Sequence, residues 1–201
     1  MPRPIVVKLG GSLAGAAGLD ELLRVLSAPR PAAPLVVVPG GGPFADTVRA
    51  TQAACGFSDH AAHAMALLAM AQYGLFLADR SPAPWLPCWG EAAVRAALPW
   101  GKSAPLLWLP QPDSDALTLA ASWQVTSDSL ALWLASRLQA CRLVLVKSCP
   151  QPADETLPAL AAAGIVDAAF ADLAASSPLL PVSLVYNGAA CGLRDVLTAA
   201  M

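Results

Sequence analysis

Two short apolar runs in this chain each end directly in consecutive glycines. The first run, residues 5–9, is followed by Gly10 and Gly11, and the second, residues 35–38, is followed by Pro39 and the glycines at 40–42. An uninterrupted run rich in β-branched residues is typical of a strand buried on both faces of a parallel sheet. Each glycine turn then joins a buried strand to a helix, which restricts the chain to folds that alternate strands and helices.

The rest of the chain continues this alternation and predicts one domain over residues 1–201. Further strands are predicted at 85–89, 106–109, 143–147 and 182–185. Helices are predicted at 19–26, 43–54, 58–77, 91–98, from 126–128 to about 140, at 157–162, at 167–174 and after 188. We therefore expect an α/β fold, a three-layer α/β/α sandwich with a mostly parallel central sheet.

The composition restricts the partners of this domain. Hydrophobic residues make up 56% of the chain and charged residues 13%, where an average domain has about 25% charged residues. The excess predicts a large core and a subunit interface, and so a homodimer or higher homo-oligomer. The net charge of −2 and the lack of a basic cluster in the sequence argue against binding to nucleic acid.

One segment, residues 60–78, is long enough to span a membrane and has no Asp, Glu, Lys or Arg. Its flanks, Asp59 and Asp79, are acidic, and it contains two histidines and Gln72. We expect a helix buried in the core or in a dimer interface, and no membrane. The five widely spaced cysteines contain no Cys-x-x-Cys, which favours a reducing, cytoplasmic location.

The two glycine turns have the geometry of phosphate-binding loops. Glycine allows the backbone to approach a bulky anion, and unpaired N–H groups at the start of the next helix point at the ligand. Lys8 lies two residues before Gly10 and places a cation beside the same phosphates. The sequence therefore predicts a site for the phosphates of a nucleotide at Gly10, Gly11 and Ser12. A second turn at Gly40, Gly41 and Gly42 has the same phosphate-binding geometry.

A dinucleotide-binding fold is the main competing interpretation of the second turn. Gly40-x-Gly42-x-x-Ala45 matches the Gly-x-Gly-x-x-Gly/Ala fingerprint, with Asp59 about 20 residues further on. That acidic residue should end a second strand, whereas residues 45–57 look helical. A P-loop at 101–103 is excluded because its first glycine is replaced by Ala96 and no strand precedes it.

Two further polar features remain open at this stage. Thr126, Ser127 and Asp128 open a helix, and an N-cap accounts for only one of them. Asp128 is placed to orient a lysine or a metal-bound phosphate. His60 and His63 share a helix face as half of a metal site or, more often, as the lining of a polar pocket. No metal site is predicted, because no third ligand is evident nearby.

Four segments resemble the amino acid kinase family, which includes aspartate, acetylglutamate, carbamate and uridylate kinases. They occur in family order as VKLGGSL, VVPGGGPFAD, TSDSLA and LVLVKS at 7–13, 37–46, 126–131 and 143–148. The resemblance implies a kinase that uses ATP and Mg²⁺ through positioning and electrostatics. It also implies an acceptor-side half over about 1–125 and a nucleotide-side half over about 126–201.

The resemblance also implies a role for each matching residue. Lys8 would neutralise the transferring phosphoryl group, Asp128 would hold the lysines, and Lys147 would be a second cation for phosphate. The nucleotide would lie on the first glycine turn. The acceptor would lie on the second turn and beside His63, Thr126 and Ser127.

Residues 58–74 and 122–129 are similar to a small branch of that family. This branch includes the kinase of methanofuran biosynthesis, which phosphorylates an aminomethylfuran-methyl phosphate, and so implies a small phosphate-bearing acceptor. One departure stands out: SCPQP at 148–152 replaces the usual Asp-Gly after the Lys147 strand. The alternatives are therefore a catalytically weak or inactive protein that binds a nucleotide, partner or oxyanion, and, third, a nicotinamide oxidoreductase.

Overall fold

A six-stranded parallel sheet forms the centre of the protein. The computed structural model describes residues 3–28, 33–115 and 118–199. Within these ranges the strands follow the order β3-β4-β2-β1-β5-β6, and every neighbouring pair is parallel. Their bounds are β1 Ile5–Leu9, β2 Leu35–Pro39, β3 Leu86–Trp89, β4 Leu106–Leu109, β5 Arg142–Val146 and β6 Val182–Val185.

Helices follow the strands much as the sequence predicts. Their bounds are α1 Leu19–Ser27, α2 Gly42–Cys55, α3 Asp59–Arg80, α4 Gly90–Ala97, α5 Ser127–Arg137, α6 Leu157–Ala162, α7 Phe170–Ala175 and α8 Ala190–Ala199. Helix α5 ends three residues before the predicted position, since Gln139 adopts a left-handed φ of 52° and Ala140 N–H closes the turn on Ala135 O at 2.9 Å. The first glycine turn leads into a short 3₁₀ turn, Gly11–Gly15, rather than directly into an α-helix.

The two faces of the sheet support separate hydrophobic layers, which confirms the predicted three-layer α/β/α sandwich. Val6 and Val36 point into a layer with α4, α5, α6 and α7, whereas Val7 and Val37 point into a layer with α1 and α8. By strand alternation Lys8 shares the face of Val6, and so lies under α5. The central strands β1 and β2 are buried along their whole length.

Helix α3 is long and apolar enough to cross a membrane by length and composition, and 44% of its most apolar window is buried inside the protein. Gly74 brings it close to the sheet, since a Cβ there would lie 2.8 Å from a methyl group of Leu109. The outward stripe of α3 leaves Met65, Leu68 and Leu75 exposed. The predicted homo-oligomer would cover this stripe, and that remains a prediction.

The two glycine turns pack directly against each other. A Cβ on Gly40 would lie 2.4 Å from the Gly11 nitrogen, and a Cβ on Gly11 would lie 2.4 Å from the Gly42 nitrogen. Gly40 N–H donates to Leu9 O at 2.8 Å, which joins the end of β2 to the end of β1. Glycine is therefore required at these positions by backbone packing as well as by any ligand.

We predict that Gly40→Ala destabilises the fold by about 1–3 kcal/mol, because the added methyl group overlaps the backbone of the first turn. Gly15→Ala is the matched control, since a Cβ there meets no atom within 4 Å. Urea unfolding followed by circular dichroism measures both variants. Equal stability of the two alanine variants would contradict the packing account.

Candidate functional site

Three charged side chains meet at the carboxyl ends of neighbouring strands β1 and β5. Lys8 lies in β1, Lys147 directly follows β5, and Asp128 lies in the first turn of α5. Lys8 Nζ is 2.9 Å from Asp128 Oδ1, and Lys147 Nζ donates to Asp128 Oδ2 at 2.6 Å. All three residues are buried, with relative exposures of 4%, 8% and 4% for Lys8, Lys147 and Asp128. We refer to them as the lysine triad.

The lysine triad has a formal charge of +1 in a buried setting. Burial alone would raise the pKa of Asp128, but the charges of Lys8 and Lys147 hold that pKa below its ordinary value. Burial, followed by repulsion from Lys8, lowers the pKa of Lys147 to about 8, although Asp128 opposes this shift. The carboxylate of Asp167 acts on Lys147 in the same direction as Asp128, so it partly balances the positive charge of the triad.

The lysine triad lines an open cavity of about 540 Å³, the lysine cavity. The first glycine turn forms one wall, and a segment between α6 and α7 forms another. Gly10 lines the cavity, but its N–H donates to Val146 O at 3.1 Å. The backbone amides of Gly11 and Ser12 are the ones that this turn can present to a phosphate.

A second cavity, of about 250 Å³, lies between the second glycine turn, α3 and the start of α5. We call it the α2–α3 cavity. Of the residues predicted to bind the acceptor, it takes Gly41, Gly42, His63, Thr126 and Ser127. Gly40 does not line it and instead packs behind the first turn. Helix α2 starts at this cavity, and its N-cap residue, Gly41, provides no side-chain hydrogen bond to the first turn.

The two cavities share four lining residues, which locates their meeting point. Gly11, Ser12, Trp123 and Thr126 belong to both linings. A ligand in the lysine cavity and a ligand in the α2–α3 cavity therefore approach each other beside the first glycine turn. This arrangement suits the transfer of a group between two small molecules.

His63 is half-buried in the α2–α3 cavity, and burial, followed by the proximity of His60, lowers its pKa. Its imidazole is therefore neutral at pH 7 and available as a hydrogen-bond donor or acceptor. Among the residues that the structure describes, no group of three His, Cys, Asp or Glu side chains is placed to hold a metal ion. His63 lines the α2–α3 cavity, whereas His60 is not among the described lining residues.

Asp167 is a site residue that the sequence interpretation missed. One oxygen, Oδ2, accepts from Thr126 N–H, Thr126 Oγ1 and Ser129 N–H, each at 2.9 Å. The other accepts from Ser129 Oγ. Asp167 therefore caps α5 from about 40 positions away, while Thr126 makes no side-chain cap of its own. A carboxylate so remote in sequence leaves no local capping signal.

The segment that departs from the family pattern is attached to the site. Ser148 Oγ lies 2.7 Å from Ser12 Oγ, which joins this segment to the first glycine turn. Cys149 O accepts from Asn187 N–H at 2.9 Å, and Lys147 O accepts from Gly188 N–H at 2.8 Å. Backbone bonds to the β6–α8 turn thus hold the end of β5 in place without the Asp-Gly motif.

Comparison with known proteins supports the fold and leaves the substrate open. No family model and no curated protein sequence matches the chain. Among solved structures, the uridylate kinase of Archaeoglobus fulgidus is similar with a TM-score of 0.70 and 16% identity, over 98% of this chain and 96% of that chain. The UMP kinase of Ureaplasma parvum gives 0.67 and 12% over 100% and 97%, and the Giardia lamblia carbamate kinase bound to AMP-PNP gives 0.54 and 14% over 99% and 96%. The chain therefore has the amino acid kinase fold.

The first prediction for the site concerns the remote cap of α5. Asp167→Asn should destabilise the protein by about 2 kcal/mol, because an amide cannot replace a carboxylate that accepts four hydrogen bonds. Asp172→Asn, on the exposed side of α7, is the matched control and should have little effect. Chemical denaturation measures the free energy of unfolding of both variants. An Asp167→Asn variant as stable as wild type would contradict the capping role.

The lowered pKa of Lys147 makes the charge of the lysine triad sensitive to alkaline pH. Lys147 loses its proton as the pH rises through about 8, so affinity for AMP-PNP should be constant near pH 7 and fall about tenfold per pH unit well above 8. Lys147→Arg should show no such decline, because arginine stays charged throughout this range. Calorimetric titrations across the pH range test this. The same alkaline decline in both proteins would exclude Lys147 as its origin.

Proposed function

We propose that the protein transfers a phosphoryl group from ATP in the lysine cavity to a small acceptor in the α2–α3 cavity. The observation that carries the proposal is the buried lysine triad, with its net positive charge, beside the point where the two cavities meet. Buried cations at a strand end and glycine amides next to them suit a triphosphate. The amino acid kinase fold supports the same activity.

The catalytic contribution of this site is electrostatic. Lys8 and Lys147 would neutralise charge that develops on the phosphoryl group and on the leaving phosphate, while Asp128 fixes their positions. Because the triad is buried and already ordered, little reorganisation is needed during the reaction. The glycine turns hold both reactants close together, and no general base is required for this contribution.

The site fits Mg²⁺ only as an ion carried by the phosphates. Two carboxylates line the lysine cavity within the described chain, and both are engaged: Asp128 by two lysines and Asp167 by the start of α5. Mg²⁺ commonly keeps water ligands and binds substrate phosphates with little help from protein. When bound, the ion would add charge neutralisation at the phosphates.

For the acceptor, we propose a small phosphate-bearing molecule, with an aminomethylfuran-methyl phosphate as the candidate. The size and apolar floor of the α2–α3 cavity support a compact molecule rather than a polymer. Segments 58–74 and 122–129, which resemble the methanofuran branch, supply much of this lining, including His63 and Trp123.

A protein that binds a nucleotide without turnover is the second candidate, and the SCPQP segment after Lys147 favours it. A nicotinamide oxidoreductase is not supported. Residues 42–55 form α2 and Asp59 begins α3, so the second strand that a dinucleotide fingerprint requires is absent from this described segment.

The proposal predicts acceptor-dependent release of ADP that Lys8→Ala lowers by about 10²-fold or more. The acceptor panel is UMP, carbamate, isopentenyl phosphate and aminomethylfuran-methyl phosphate. Lys102→Ala, at an exposed lysine, is the matched control and should retain wild-type rates. If the protein binds ATP but releases no ADP with any of these acceptors, the result would favour a protein that binds a nucleotide without turnover. Failure to bind ATP would contradict both.

A further inference from the structure

The rim of the α2–α3 cavity contains one cationic side chain among its described lining residues, Arg49 of α2. His63 is neutral at pH 7 because its pKa is lowered. Two carboxylates, Asp46 and Asp59, complete the charged groups of this lining. Asp59 accepts from Gln52 Nε2 at 2.8 Å, which leaves Asp46 as the partner of Arg49.

Arg49 is oriented by weak contacts that leave most of its donors available. Its guanidinium carbon lies 4.3 Å from the centre of the Trp123 ring, a cation–π contact. Its ion pair with Asp46 is a single contact of 3.3 Å, with side chains 52% and 76% exposed. Such exposed pairs contribute little stability. Arginine has five N–H donors in a planar fork, and the described structure uses one of them here.

Trp123 is itself fixed, which fixes the surface on which Arg49 lies. Its indole Nε1 donates to Gln52 Oε1 at 2.6 Å, and Gln52 Nε2 also donates to Phe57 O at 3.2 Å. Gln52 thus connects the α2–α3 corner to the segment before α5. Because Trp123 lines both cavities, Arg49 has a defined position relative to the point where they meet.

We infer that Arg49, stacked on Trp123, is the recognition residue for an anionic group of the acceptor. The inference rests on the proposed function, which puts the acceptor in this cavity. Its apolar body would lie on Ala62, Leu67 and Met70. Its phosphate or carboxylate would replace Asp46, which makes a single contact, and would bind Arg49 through two hydrogen bonds. Asp46 then acts as an internal competitor that holds Arg49 in place while the cavity is free of acceptor.

The test measures binding of benzyl phosphate, phenylacetate and benzyl alcohol to the full chain by calorimetry, without nucleotide. We expect the wild-type protein to bind at least one of the two anions about tenfold more tightly than the neutral alcohol. Arg49→Gln should abolish this preference, and Asp46→Asn should strengthen anion binding because it removes the competitor. The comparison of the two anions decides between phosphate and carboxylate.

Arg24→Gln is the matched control, because Arg24 also pairs with an acid three residues away on an exposed helix surface but lies outside both cavities. It should leave all three affinities unchanged. The inference is overturned if wild-type protein binds neither anion, if Arg49→Gln binds them as tightly as wild type, or if Asp46→Asn weakens them.

The two proposals can fail separately. The binding experiment needs no ATP, whereas the proposed function is tested by ADP release that depends on Lys8. Acceptor-dependent ADP release in Arg49→Gln with unchanged KM would reject the subsite and keep the kinase. Loss of anion preference in Arg49→Gln, with no ADP release by wild type, would keep the subsite and reject the kinase.

Discussion

Asp128 shares its two carboxylate oxygens between two buried ammonium groups, and the site depends on this arrangement. Removing an ammonium group from water costs several kcal/mol, and only a close carboxylate with good geometry offsets that cost. One carboxylate cannot neutralise two cations, so the lysine triad keeps a net positive charge at the ends of β1 and β5. In the proposed function a bound phosphate would balance this charge together with the nearby Asp167 carboxylate.

Several parts of the fold converge on that carboxylate. The parallel pairing of β1 with β5 places Lys8 beside Leu145. Lys147 lies two residues further along the chain, so both lysines can reach the same carboxylate. Asp167 accepts hydrogen bonds from the start of α5 and so fixes the position of Asp128, which lies in the first turn of that helix. The glycine turns pack against each other without side chains, and this close approach brings the two cavities to a common boundary.

Much of this could be predicted from the sequence, because buried parallel strands and their glycine turns leave continuous local patterns. An apolar run is sufficient to predict the strand at 35–38, and helical periodicity is sufficient to predict the helix at 19–26. The proposed role of Lys147 rests on the resemblance to a family, since one lysine after a strand carries no signal of its own. No periodicity or motif marks the contacts of Asp167, Gln52 and Arg49. These contacts join segments that are distant in sequence or depend on tertiary placement. Gly40, which was predicted to approach the acceptor, packs against Gly11 and is not among the lining residues of the α2–α3 cavity.

We propose that the lysine triad binds the phosphates of a nucleotide. A crystal structure of the protein with Mg²⁺ and AMP-PNP would show where the phosphates lie. We expect the terminal phosphates within hydrogen-bond distance of Lys8 Nζ and Lys147 Nζ, next to the amides of Gly11 and Ser12. A nucleotide bound elsewhere, with the lysine triad unchanged and free of phosphate, would contradict it.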